Sequence, residues 1–223
     1  MSFRLKIKHH LIHALNYTNK TAGDLISSGK LTVNGKVVLT NEIIHEEDEL
    51  CLEGQIIKPA IQYEYYALYK PTGIESSFYN LIVDNLSKVF PFNDSFFVAG
   101  RLDKASEGLL IISNNGKWVN ALTRADAYKE KEYEVEVDQQ ISDEFIEAMG
   151  KGVDIGFYVT RPCTVSKITS HVFNIVLTEG KNKQIRRMCK KLGFKVTRLK
   201  RTRIDKFYLA DLKALEYRKF LLT

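Results

Sequence analysis

The chain has 223 residues, with 33 Lys and Arg against 27 Asp and Glu, a net charge of +6 and 44% hydrophobic residues. This length leaves room for a medium domain plus a small one, and the composition is that of an ordinary soluble globular protein. No apolar run approaches the ~18 residues of a spanning helix, and the first residues lack the apolar stretch of a signal peptide, so we expect no membrane association.

The cysteines and histidines predict neither disulfides nor a metal site. Cys51, Cys163 and Cys189 are odd in number, far apart and without CxxC spacing, which fits the reducing environment of a cytoplasmic protein. His9 and His13 have the i, i+4 spacing of a metal pair, but no third ligand lies near them in sequence.

Residues 1–58 are predicted to form a small module. A basic, histidine-rich first helix is followed by a second near Asn19–Ser28, which ends at a glycine. Asn34-Gly35, set between β-branched residues, predicts a tight β-hairpin, and residues 48–52 alternate as a further strand.

Residues 59–223 are predicted to form the larger domain. Its first strand, Gln62–Tyr69, ends at Lys70-Pro71-Thr72-Gly73, where proline stops the strand and glycine permits a sharp turn. We expect a helix over Phe78–Phe90 and a buried strand over Phe96–Ala99.

A polar loop then separates two apolar runs. Gly100 turns the chain and presents Arg101 and Asp103, and the run Leu109–Ile112 leads back into the core. From these residues alone, capping of the turn by Asp103 is favoured over a catalytic role.

The elements that follow the loop alternate between helix and strand. We predict a helix over Lys117–Arg124 and a half-buried strand over Glu130–Val137, in which Tyr133 faces inward. Ser142 caps a helix over Asp143–Met149 that ends at Gly150. The remaining predicted elements are strands Val159–Ile168 and His171–Thr178, a helix with the buried stripe Ile185, Met188, Cys189 and Leu192, strand Phe194–Ile204 and a strand-like tail from Tyr217.

Positive charge is concentrated near the C-terminus. Lys181–Lys206 contains twelve Lys and Arg and one acid, Asp205, so it carries +11 and the rest of the chain −5. A solvated face would interleave both signs, so this segment favours a polyanionic partner, nucleic acid above all.

Four motifs together resemble one family. The motifs are Gly-Arg-Leu-Asp-x-x-Ser-x-Gly-Leu-Leu, which closes on Ser-Asn-Asn-Gly, together with Lys-Pro-x-Gly, Lys-Glu-Tyr and Gln-Ile-Arg-Arg. They resemble the motifs of bacterial ribosomal RNA pseudouridine synthases of the RsuA-like family, closest to the large-subunit enzymes of type F. The resemblance implies an α+β protein: a small N-terminal RNA-binding module of the ribosomal protein S-four type, then a catalytic domain built on a mixed, mainly antiparallel β-sheet flanked by helices.

The resemblance also implies roles for individual residues. Asp103 would be the nucleophile, Arg186 would reach back to keep it ionised, and Tyr133 would stack on the target base. Arg101 would help to displace the target nucleotide. The residues expected to contact RNA besides Arg101 are Lys70, Ile185, Arg187, Lys181, Lys183, Lys30 and Lys36.

The implied reaction is the isomerisation of a specific uridine to pseudouridine in ribosomal RNA, 23S before 16S. It needs no cofactor, and we expect a monomer. Two alternatives stay open: a non-catalytic RNA-binding or ribosome-assembly factor, and the same chemistry on 16S ribosomal RNA or transfer RNA. The chain departs from the family pattern at Asn115, often Asp, and at Asn19-Lys20-Thr21, where the second helix usually begins with arginines.

Overall fold

The structure is a computed structural model that describes residues 5–79, 81–91 and 95–222. The chain divides into two compact units, Met1–Tyr63 and Glu64–Thr223, whereas the boundary predicted from the sequence follows Lys58. The amide of Ile61 donates to the carbonyl of Glu46 (3.0 Å), and the Tyr63 hydroxyl donates to the Glu46 carboxylate. These bonds hold residues 59–63 to the first unit.

The first unit packs two helices on short antiparallel strands. Its elements are β1 (Leu5–Lys6), α1 (Ile7–His13), α2 (Asn19–Ser27), β2 (Leu31–Val33), β3 (Lys36–Val37), β4 (Ile43–Ile44), β5 (Leu50–Leu52) and β6 (Gln55–Lys58). The sheet order is β3-β2-β5-β6, and β1 pairs with β4. The predicted hairpin is confirmed: Asn34 and Gly35 both have positive φ, as the tight turn requires.

The second unit contains a large sheet with helices on it. Its strands are β7 (Tyr65–Lys70), β8 (Phe97–Ala99), β9 (Glu107–Ser113), β10 (Lys131–Val137), β11 (Thr164–Lys167), β12 (Val172–Leu177), β13 (Val196–Ile204), β14 (Phe207–Tyr208) and β15 (Tyr217–Phe220). Its helices are α3 (Gly116–Thr123), α4 (Asp143–Lys151) and α5 (Gln184–Lys191), with single 3-10 turns at Leu86–Lys88 and Ala125–Ala127.

The strand order is β11-β12-β10-β13-β9-β7-β15, with β8 on β9 and β14 on β13. Every pairing in this sheet is antiparallel except β13 with β9, which is parallel at Lys200–Glu107 and Arg201–Gly108. The predicted mixed, mainly antiparallel sheet with flanking helices is therefore confirmed. The parallel junction brings the end of the polar loop against the middle of β13.

The helix predicted over Phe78–Phe90 is wrong for its described residues. The amide of Glu75 donates to the carbonyl of Asp84 (2.8 Å), and that of Leu86 donates to Ser77 (2.9 Å), so the backbone pairs across the segment rather than along it. Leu81 is exposed, and of the described residues in this segment only the turn Leu86–Lys88 is helical.

Two other predicted boundaries also differ. α4 runs through Gly150 to Lys151 and ends at Gly152, whose φ of 94° suits the end of the helix. The strand predicted over Val159–Ile168 is confined to Thr164–Lys167, because Pro162 has no amide to donate and the Arg161 amide bonds the Glu179 side chain instead.

The parallel junction tolerates only glycine at position 108. Gly108 has a φ of 108°, and a Cβ added there would lie 2.3 Å from the carbonyl oxygen of Arg201. We expect Gly108→Ala to lower the free energy of unfolding by about 2 kcal/mol or more, from left-handed strain plus loss of the close approach. Urea denaturation followed by circular dichroism measures this.

Gly156→Ala is the matched control. Gly156 has a similar φ of 98°, but nothing lies within 4 Å of an added Cβ, so only the strain of about 1 kcal/mol applies. Equal losses in the two variants would contradict the close approach at the junction.

Candidate active site

A cleft of about 960 Å³ opens in the second unit beside the parallel junction. The polar loop forms one wall through residues 100–106, and β10 and β13 contribute Tyr133 and Arg201. The segment from Leu177 to Arg186 forms the opposite wall. The residues that the sequence analysis singled out and that line this cleft are Asp103, Tyr133, Arg186, Arg101, Ile185, Lys181 and Lys183.

The backbone of the polar loop is fixed by hydrogen bonds from the segment after β7. The Ser76 hydroxyl donates to the carbonyl of Leu102 (2.8 Å) and accepts from its amide (3.0 Å). The Gly73 amide donates to the carbonyl of Lys104 (2.8 Å), and the Ser106 amide donates to the backbone carbonyl of Asp103 (2.9 Å). The residues on both sides of Asp103 therefore hold it in place.

Two arginines also hold the polar loop in place. Arg201 donates through Nη2 to the carbonyl of Gly100 and through Nε to that of Leu109 (2.8 Å), so it holds both ends of the loop. Arg186 donates through Nη2 to the carbonyl of Ala105 (2.8 Å). Carbonyl oxygens that would otherwise be unpaired at the loop thus receive charged donors.

Sequence reasoning missed Arg201. It is 1% exposed and pairs with no carboxylate of the described residues; burial lowers its pKa, and the nearby Tyr133 hydroxyl opposes that shift. Tyr133 lies directly opposite Arg201 in the β10–β13 register. The alternation of side chains along a strand could have predicted its burial, because Arg201 lies two residues after Leu199 and therefore on the same, buried side of β13.

The expected contact between Asp103 and Arg186 is not formed. The Asp103 carboxylate is half-buried and forms no hydrogen bond or ion pair within the described chain. The Arg186 guanidinium instead donates hydrogen bonds to the backbone carbonyls of Ala105 and Val196 (3.2 Å to the latter). Its Nε is buried without a hydrogen-bond partner among these residues. Both charged groups line one cleft with bonding capacity unused.

Lys70, which was predicted to contact RNA, is buried in the turn after β7. It is 0% exposed and donates to the carbonyls of Pro71 (2.7 Å) and Ile74 (2.8 Å), so its ammonium fixes the turn after β7. Burial lowers its pKa to about 8; Glu75 opposes the shift and Arg201 adds to it. Nothing in the sequence around this lysine, which precedes a proline turn, predicted that its side chain would be buried.

Three other predicted RNA contacts, all of them cations, lie at the surface, whereas the predicted contact Ile185 is buried. Arg187 donates through Nε to the carbonyl of Asn182 (3.0 Å) on the exposed side of α5. In the first unit, Lys36 is exposed and Lys30 forms an ion pair with Glu53 (2.5 Å). None of these three cations is buried.

The described residues form neither a metal site nor a reactive thiol. They contain no group of three His, Cys, Asp or Glu that could hold a metal ion, although the rings of His9 and His13 are adjacent. Burial raises the pKa of Cys163 to about 11 and of Cys189 to about 12, so these thiols are poor nucleophiles. No helix there is long and apolar enough to cross a membrane.

Comparisons with known proteins agree on one family. The sequence profile of RNA pseudouridylate synthases matches residues 64–191. The chain is 39% identical over 203 residues to the dual-specificity RNA pseudouridine synthase RluF of Salmonella typhi, covering 90% of this chain and 70% of that protein. It is 28% identical over 220 residues to the ribosomal small subunit pseudouridine synthase A of Pasteurella multocida, covering 96% and 95%.

A solved structure supports the same relationship. The crystal structure of a pseudouridylate synthase superimposes with a TM-score of 0.68 at 25% sequence identity, covering 97% of this chain and 96% of that one. The likeness extends over both compact units of the chain.

The pKa of Lys70 predicts a pH dependence of stability. Because the folded-state pKa, about 8, lies below the ordinary value of 10.5, the charged form is penalised by folding below about pH 8. Above that pH the unfolded chain binds more protons than the folded one, so stability rises with pH by up to about 1.4 kcal/mol per unit.

Lys70→Met removes this titration but keeps the length of the side chain. We expect the difference in free energy of unfolding, wild type minus Lys70→Met, to increase between about pH 8 and pH 10, as measured by urea denaturation at several pH values. A difference that stays flat or falls over that range would contradict the buried, charged lysine.

Proposed function

The chain belongs to the RNA pseudouridylate synthase family, and we propose that it isomerises a specific uridine of ribosomal RNA, foremost 23S, to pseudouridine. The single observation that supports this chemistry is that Asp103, Tyr133 and Arg186 all line one cleft. The relatives named for RNA and for the small ribosomal subunit support ribosomal RNA as the substrate class.

The reaction conserves all atoms of the nucleotide. The bond from sugar C1′ to uracil N1 breaks, the base turns, a bond forms from C1′ to C5, and the proton on C5 leaves to solvent while N1 gains one. Such a rearrangement needs an ionised group, an apolar pocket and a hold on the RNA rather than a cofactor.

Asp103 supplies the ionised group. Its backbone is held by Ser76, by Arg201 acting on Gly100 and by Arg186 acting on Ala105, while its carboxylate is left without a partner inside the described chain. A group held in this way is positioned for reaction without being neutralised beforehand.

Arg186 supports the carboxylate during the reaction. Its Nε is buried without a partner among the described residues, and its guanidinium lines the same cleft as Asp103, so rotation of the side chain away from Ala105 would free it to pair with the carboxylate. A close guanidinium favours the carboxylate anion over the acid.

Tyr133 and Arg101 handle the base and its position. Tyr133 lies at the wall of the cleft against Arg201 and offers a ring on which uracil stacks. Arg101 is exposed at the rim and helps to displace the nucleotide from its helix. Flipping a base out costs a few kcal/mol, which phosphate contacts along Lys181–Lys206 offset.

The first unit is proposed to be an additional RNA-binding module of the S-four type. Lys36 is exposed on its hairpin, and Lys30 is held by Glu53 beside it. We further propose that the protein acts as a monomer in the cytoplasm and that Lys181, Lys183 and Arg187 contact phosphates near the target.

The direct test is release of tritium from RNA labelled at C5 of uridine. We expect Asp103→Asn to lower release from unmodified 23S transcript at least about a thousandfold, because it removes the charge and keeps the shape, while RNA affinity stays within about threefold. Asp211→Asn, at an exposed carboxylate, is the matched control.

Two results would contradict this assignment. Full turnover by Asp103→Asn would move the nucleophile elsewhere. If the wild-type protein releases no tritium from ribosomal or transfer RNA, the catalytic proposal fails and a non-catalytic RNA-binding or ribosome-assembly role remains.

Neighbouring arginines on α5 separate catalysis from binding. Arg186→Lys keeps a positive charge but shortens its reach to the loop, so we expect a single-turnover rate about tenfold or more below wild type and nearly unchanged RNA affinity. Arg187→Lys is expected to alter mainly the affinity. Identical effects of the two substitutions on the rate would contradict a catalytic role for Arg186.

A further inference from the structure

A tight turn beside the cleft presents an aromatic ring to solvent. The amide of Ile155 donates to the carbonyl of Tyr158 (3.0 Å), and the amide of Gly156 donates to the Asp154 carboxylate (2.8 Å). Phe157 lies at the tip and is 62% exposed. The backbone bonds fix the turn, so the ring is held out without the support of a core.

Cations accompany the aromatic rings of this region. Tyr128, which directly follows the 3-10 turn before β10, is 57% exposed. The pairs, with the distance from cation to ring centroid, are Arg187 with Phe157 (5.1 Å), Lys181 with Tyr158 (4.3 Å) and Arg161 with Tyr128 (4.6 Å). We call these six residues the aromatic-basic cluster.

A buried carboxylate joins the cluster to the active-site cleft. Glu179 accepts hydrogen bonds from the Tyr158 hydroxyl (2.8 Å), the Arg161 amide (3.0 Å) and the Gln184 side chain (2.8 Å). Glu179, Lys181 and Gln184 also line the cleft. The cluster is therefore a pre-formed extension of the cleft wall rather than a separate patch.

The chemistry of the cluster selects its ligand. Rings flanked by cations suit single-stranded nucleic acid, since bases stack on the rings while the cations pair with phosphates. A protein partner would be better matched by an apolar centre depleted of charge. Continuity with the +11 segment Lys181–Lys206 reinforces this choice.

We propose that an unpaired nucleotide flanking the one that enters the cleft stacks on Phe157, with Arg187 and Lys181 holding adjoining phosphates. Tyr128 offers a second ring further along the same wall. The proposal rests on the proposed function in taking RNA as the ligand, and it assigns to the turn 155–158 the recognition of local single-stranded structure around the target.

The test compares two probes of equal length and charge: a short single-stranded oligouridylate and the corresponding abasic ribose-phosphate oligomer. Phe157→Leu keeps an apolar side chain and removes the aromatic face. We expect it to weaken binding of oligouridylate about tenfold, measured by fluorescence anisotropy at fixed salt, and to leave binding of the abasic oligomer unchanged. Arg187→Gln is expected to weaken both.

Tyr208→Leu is the matched control, because Tyr208 is 61% exposed with Arg203 5.8 Å from its ring but lies outside the cluster. It should leave both affinities unchanged, and thermal unfolding verifies that each variant folds. Equal oligouridylate affinity of Phe157→Leu and wild type, or equal losses on the two probes, would overturn the stacking proposal. Tritium release by wild type reports separately on the proposed function, so the two failures are distinguishable.

Discussion

The active-site loop depends on one buried guanidinium. Arg201 bonds the carbonyls of Gly100 and Leu109, which bracket the loop carrying Asp103, and its own backbone packs on Gly108. Arg201 therefore forms part of the parallel junction between β9 and β13, and it also supports the loop that carries Asp103, the candidate nucleophile. Both carbonyls thus receive hydrogen bonds from one charged group, and such bonds are stronger than those from a neutral donor.

The same arrangement sets the local electrostatics. Arg201 and Lys70 are both buried without a paired carboxylate in the described chain, and the depressed pKa of Lys70 reflects the burial of its charge. The charges of Glu75, Arg201 and Asp103 all act on the Lys70 ammonium. Arg186 lines the same cleft as Asp103 and is the group proposed to support changes in charge during the reaction.

Most helices and strands could be predicted from the sequence, because the spacing of their apolar residues is visible within each segment. The alternation of β10 and the stripe of α5 both appear as expected. The helix expected over residues 78–90 failed because its backbone bonds run to residues 75–77, a pairing that composition does not encode. The clamp by Arg201 joins residues 92 and 101 positions apart, and the aromatic-basic cluster forms only once α5 meets the turn 155–158.

The most direct measurement is the single-turnover rate of Arg201→Lys on RNA that the wild type modifies. Lysine keeps the charge but has one nitrogen in place of the separate Nε and Nη2 that bond the two bracketing carbonyls, so the account predicts a rate lower by about a hundredfold, with RNA affinity and the circular dichroism spectrum unchanged. A folded Arg201→Lys protein that turns over as fast as wild type would contradict the claim that this guanidinium holds the catalytic loop.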